Sequence, residues 1–118
     1  MHDRPTAAEL VEAVREYLER DVMTQTEGRV QFHARVASNV LATVQRELEL
    51  GPELESAHRA RLVALFARTD DTETLERELA AALRDNMLSS QQLDEATDHI
   101  RATLHAKLSV SNPKYLKN

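Results

Sequence analysis

The chain has no cysteine and no tryptophan, only two glycines and three prolines, and 3% aromatic residues in 118. Without cysteine there is no disulfide framework, no thiolate metal site and no thiol nucleophile, which suits a reducing cytoplasm. So little glycine and so few β-branched runs leave poor material for strands and their turns; the elements are expected to be helical and the core aliphatic. Long apolar runs are missing too. Nothing approaches the roughly 18 apolar residues of a membrane span, and the opening MHDRPTAAEL has no apolar signal segment. Positive charge is in deficit, with 15 Lys and Arg against 20 Asp and Glu, a net charge of −5. The basic stripe that phosphate-backbone binding demands is absent. The expectation is a cytoplasmic protein with neither nucleic acid nor membrane as partner.

What remains is a chain that is 42% hydrophobic and 30% charged, enough for one helical domain over residues 1–118 with a short arm at 1–5 and a tail at 109–118. Helical periodicity and stop signals predict an all-α bundle of about five helices. Thr6 and Glu9 form a capping box that opens helix 1, which runs to about Met23 with Leu10, Val11, Val14, Tyr17, Leu18 and Val22 on one face. Helix 2 starts near Arg29 and stops at Gly51 and Pro52, which act as a stop and a restart. Its residues Phe32, Val36, Ala37, Val40, Leu41, Val44 and Leu48 project onto an arc of roughly 200°, wider than a surface helix needs. It is therefore expected to be the central, sheathed element. Helix 3 covers about Pro52 to Ala67, helix 4 follows an Asp70–Glu73 capping box to about Arg84, and Ser89 with Gln92 opens helix 5. The inner face of helix 5 is read as Leu93, Ala96, Ile100, Leu104 and Leu108, which leaves His99 and His105 solvated.

Polar residues inside apolar arcs need partners, because an unpaired charge away from water is costly. Arg29, His33 and Glu47 fall in that arc of helix 2, and Asp21 in the arc of helix 1. The hairpin offers Asp21 to Arg29 or His33. A sharp turn at Gly51–Pro52 would bring Glu47 towards His58 or Arg61. Both junctions are expected to be buried polar clusters that fix helix register. A ridge of Arg35, Asn39 and Arg46 along one edge of helix 2 is suited to a carboxylate-bearing or anionic partner. It reads equally as an internal polar contact with two solvated arginines. Catalytic and metal constellations are lacking. Glu55 and His58 make one E-x-x-H pair where a carboxylate-bridged di-metal bundle needs two. There is no phosphate loop, no G-x-S-x-G and no H-E-x-x-H. No catalytic residue, metal or cofactor is assigned.

Three stretches resemble a known family. HDRPTAAELVEAVREYLE from His2 to Glu19, GRVQFHARVASNVLATVQRELELGPELE from Gly28 to Glu55 and KLSVSNPKYL from Lys107 to Leu116 cover about half the chain. They are similar to small bacterial proteins known as domain of unknown function 6285. The distinctive parts are F-H-x-R-V-x-x-N from Phe32 to Asn39 and N-P-x-Y-L from Asn112 to Leu116, whereas Ser56 to Ala106 has only a generic helical pattern. Members of that family resemble the small accessory subunit that works beside an aminoglycoside-phosphotransferase-like kinase in levulinate breakdown. There the kinase phosphorylates a hydroxyacyl-CoA and an acyl-CoA-dehydrogenase-like enzyme completes the conversion. The resemblance implies a non-catalytic subunit partnered by such a kinase and, at one remove, by the dehydrogenase. Arg35, Asn39, Arg46, Tyr115 and Leu116 are the expected contacts, since tyrosine and arginine anchor interfaces. Three alternatives stand beside it. One is a bundle that binds an acyl-CoA or its acyl arm, with Arg29 or Arg35 meeting a phosphate. Another is a stand-alone enzyme using His33 and Asp21 as an acid/base pair. The last is a homo-oligomer that covers the wide arc of helix 2.

Overall fold

The capping box at the start of the chain sets the first element. The Thr6 hydroxyl accepts from the Glu9 amide (3.2 Å) while the Glu9 carboxylate accepts from the Thr6 amide (3.0 Å), so two orphan donors of the first turn are satisfied reciprocally. Helix α1, Ala7–Tyr17, starts there. It continues into a π-helical turn, Leu18–Val22, and a last α-helical turn, Met23–Gln25. Three long helices follow: α2 over Gly28–Phe66, α3 over Thr72–Arg84 and α4 over Ser90–Ser111, with a closing 3₁₀ turn at Pro113–Leu116. The computed structural model describes residues 3–116, and among these there is no strand. The fold of the described residues is all-α, with four helices rather than about five.

The missing break is at Gly51–Pro52, where α2 runs on without interruption through an internal proline. Gly51 stays right-handed; Gly28, at φ 65°, is the glycine that takes the left-handed conformation, where α2 begins. Pro52 forfeits one hydrogen bond, that to the Leu48 carbonyl, at a cost of about 3 kcal/mol relative to alanine. The flanking runs QRELEL and ELESAHRARL are strong helix formers and carry the helix across. The position still marks a boundary, because the described residues divide there into two compact units. The first holds the chain up to Gly51 with Val110–Asn112; the second holds Pro52–Ser109 with the chain from Pro113 onward. Of the predicted arm and tail, Met1, His2, Lys117 and Asn118 lie outside the described residues.

In the first unit, α1 pairs with the first half of α2 through polar and small side chains. Arg15 Nη1 donates to Gln45 Oε1 (2.9 Å), the Ser38 hydroxyl donates to Glu19 Oε1 (2.7 Å), and Gln31 Nε2 donates to the Met23 carbonyl (2.9 Å). Ala34 and Ser38 are the buried residues of this face of α2. The expected sheathing of the aliphatic arc does not occur: Phe32, Val36, Val40, Val44 and Leu48 are all exposed, Phe32 at 59% and Val40 at 57%. Small side chains let the two helices approach, so the larger ones on the neighbouring arc face away.

The second unit holds the apolar core, built from Leu62, Leu65, Leu75, Leu79 and Ala96, with Val63, Phe66 and Leu88 packed against it. α2 ends in a Schellman motif in which the Arg68 amide donates to the Val63 carbonyl (3.3 Å) and Ala67 is left-handed at φ 51°. α3 ends in the same way with Asn86 at φ 56° and the Met87 amide donating to the Ala82 carbonyl (2.9 Å). The N-cap of α3 is Asp71, which accepts from the Thr74 amide (2.7 Å), and not the expected Asp70. That hydrogen bond holds the Asp71 carboxyl below the usual carboxylate range. Ser89 and Gln92 cap α4 reciprocally, as read from the sequence (both 3.1 Å).

Candidate functional site

Polar chemistry gathers in the second unit, on the facing sides of α2, α3 and α4. His58 comes from α2, Glu76 from α3 and His99 from α4, and the two imidazole rings lie 4.7 Å apart between centroids, tilted by 46°. Arg61 Nε donates to His99 Nδ1 (3.0 Å). His99, 5% exposed, therefore keeps its proton on Nε2. Burial lowers its pKa below the ordinary histidine range; the neighbouring His58 and Arg61 lower it further, and Glu76 opposes them.

The Thr103 hydroxyl lies 2.9 Å from the His99 carbonyl, to which it donates, and 3.3 Å from His58 Nδ1. His58 Nε2 meets the Glu76 carboxylate. Thr103, Glu76 and the Arg61 Nε–H thus face His58 Nδ1, His58 Nε2 and His99 Nδ1, and neither ring offers an unengaged lone pair to act as a base. The buried Arg61 Nη2 has no partner among the described residues. No three His, Asp or Glu side chains among them gather to hold a metal.

This cluster contains half of what the sequence placed at the helix junctions. His58 and Arg61 do sit in a polar cluster, but with His99, Glu76 and Thr103 in place of Glu47. His99, expected in solvent, is buried. The inner face of α4 is turned by about 100° from the aliphatic stripe, so that Ala96, His99 and Val110 are buried while Leu93, Ile100 and Leu104 are exposed. The signal available in the sequence was the stripe Ala96, Thr103 and Ala106, small residues that permit close approach.

The other junction does not form. Asp21, Arg29, His33 and Glu47 are all exposed, and among the described residues Asp21, Arg29 and Glu47 make no side-chain hydrogen bond or ion pair. The π-helical turn at Leu18–Val22 inserts extra chain into α1 and rotates Asp21 off the face onto which a regular helix would project it. The ring of His33 meets Phe32 edge to face, with centroids 5.5 Å apart.

Of the ridge on α2, Arg35 and Asn39 are exposed. Arg46 is engaged within its own unit, its Nε donating to the Val110 carbonyl (2.7 Å) and its Nη2 to the Thr43 hydroxyl (3.2 Å). It caps the last turn of α4, where carbonyls lack helical partners. Tyr115 is 76% exposed on the 3₁₀ turn, with Leu116 beside it. Each unit therefore presents large apolar side chains to solvent: Leu10, Val14, Tyr17 and the α2 arc in the first, Leu93, Ile100, Leu104 and Tyr115 in the second.

A family model described as a domain of unknown function (DUF6285) matches residues 24–115. The match includes the F-H-x-R-V-x-x-N run and also the region 56–106, where the sequence had shown only a generic pattern. No curated protein and no solved structure matches the chain. No helix of the described residues is long and apolar enough to cross a membrane.

Proposed function

The chain belongs to the DUF6285 family, and from this premise we propose that it is a non-catalytic accessory subunit of an aminoglycoside-phosphotransferase-like kinase acting on hydroxyacyl-CoA. The observation that carries the reading is the outward aliphatic stripe of α4, Leu93, Ile100 and Leu104, exposed while the small and polar residues beside it are buried. Apolar side chains aligned on one exposed helix face are the material of an interface core. Tyr115 and Leu116 on the same unit are suited to act as anchors. Of the polar ridge, Arg46, tethered to Val110, is not available as a contact. The histidine cluster has a supporting role: its lone pairs are engaged internally, so it fixes α2, α3 and α4 against one another behind the docking face.

Co-expression of the full chain with such a kinase from the same host tests the reading. The two are expected to elute together from a sizing column, and phosphorylation of a hydroxyacyl-CoA is expected to fall when this chain is omitted. Complete separation together with kinase activity indifferent to the chain overturns it.

A further inference from the structure

The exposed side of α2 in the first unit has a symmetry of its own. Arg29, His33, Val36, Val40, Thr43 and Glu47 follow each other at spacings of 4, 3, 4, 3 and 4 residues, the period of a two-helix seam. About its midpoint the list sets valine against valine at the centre and arginine against the oppositely charged glutamate at the ends, with His33 against Thr43, half-buried and accepting from Arg46, between them. Phe32 and Val44 flank the seam at equal distances from that midpoint. Arg29 and Glu47 are 18 residues apart, about five turns and about 27 Å, and so lie on one line along the helix.

From this pattern we propose that the occupant of the face is a second copy of this chain, with the two α2 seams packed antiparallel about a twofold axis near Val36 and Val40. An isologous interface requires a surface complementary to itself. Reversing one copy places Val36 on Val40, Phe32 on Val44 and Arg29 on Glu47 of the other, twice over. Both charges are exposed and without an ion pair among the described residues of their own chain. A parallel arrangement would instead set arginine beside arginine and glutamate beside glutamate.

The area is adequate. Projected from the Arg15–Gln45 and Glu19–Ser38 contacts, Leu10, Val14 and Tyr17 of α1 lie on the same side of the hairpin as Val40 and Val44. Together with the α2 arc they expose on the order of 600 Å² of apolar surface, and the polar rim brings the face near the roughly 800 Å² per partner of a standard interface. The kinase-facing stripe of α4 belongs to the other unit, so this inference does not depend on the proposed function.

Light scattering on the purified full chain at about 100 µM, coupled to a sizing column, is expected to give twice the 13.3 kDa chain mass. Arg29→Glu and Glu47→Arg, each alone, place two like-charge contacts in the dimer and should each raise its dissociation constant about tenfold or more. The double reversal Arg29→Glu/Glu47→Arg restores the pairing and should recover most of the affinity. Circular dichroism keeps the comparison to folded protein. A monomer at that concentration, or single reversals that leave the dissociation constant unchanged, or a double variant no tighter than the singles, overturns the proposal.

Discussion

His99 shows how a single buried side chain ties stability to pH. Its depressed pKa is caused first by burial, then by His58 and Arg61, and a histidine that must stay neutral in the folded state favours the unfolded state once protons are available. The contribution is complete above the pKa of a free histidine, about 6.5, and is lost as pH falls through the lower folded value. Urea midpoints measured at pH 7.5 and 5.5 should therefore drop for the parent protein. His99→Gln keeps an acceptor within reach of Arg61 Nε but has no ring to protonate, and should drop less. Equal drops in parent and variant would contradict the assignment. Ala67 illustrates backbone strain in the same terms: a left-handed φ of 51° crowds its Cβ against a carbonyl. Ala67→Gly relieves a clash that normally costs 1–2 kcal/mol and gives back part of it as unfolded-chain entropy, for a net gain of about 1 kcal/mol. A thermal midpoint higher by a few degrees is the expected reading. Asn86, at an equivalent helix end, occupies that conformation at lower cost, so Asn86→Gly should change the midpoint less.

At the scale of the element, caps were legible and faces were not. Thr6 with Glu9 and Ser89 with Gln92 pair as their spacing dictates, because a capping box is decided by residues three apart. The buried face of a helix is decided by what packs on it. In α2 and α4 an aliphatic stripe stands beside a small, polar one, and hydropathy favoured the wrong stripe in both. The candidate cluster was half legible for the same reason: His58 and Arg61 were picked out as needing partners, but His99 lies on the face that hydropathy had discarded. Gly51–Pro52 is the converse case, a local stop signal overridden by helix-forming sequence on both sides. Because α2 is continuous there, Pro52→Ala restores the missing bond to the Leu48 carbonyl. The gain, near 3 kcal/mol from helix propensity, is reduced by about 1 kcal/mol for the more flexible unfolded chain. A stabilisation of about 2 kcal/mol in a urea titration is expected; a loss would mean that the helix needs its proline at this point.

For the molecule as a whole, the two outward apolar faces are the feature left unexplained by the fold itself. Side chains that stabilise a chain's own core cost several kcal/mol when replaced by charge, whereas exposed ones change stability by about 0.5 kcal/mol or less. Val40 and Ile100, one on each unit and both well exposed, separate the roles of the faces. Val40→Glu sits at the centre of the α2 seam and should abolish self-association while kinase co-elution persists. Ile100→Glu sits in the α4 stripe and should release the kinase while self-association persists. Both variants should unfold within a degree or two of the parent dispersed at low concentration. A drop of many degrees in either would show that its face is buried by the chain's own fold in solution. Loss of both associations from one substitution would mean that a single surface carries them. The pair thus decides between one assembly surface and two, which neither face decides alone.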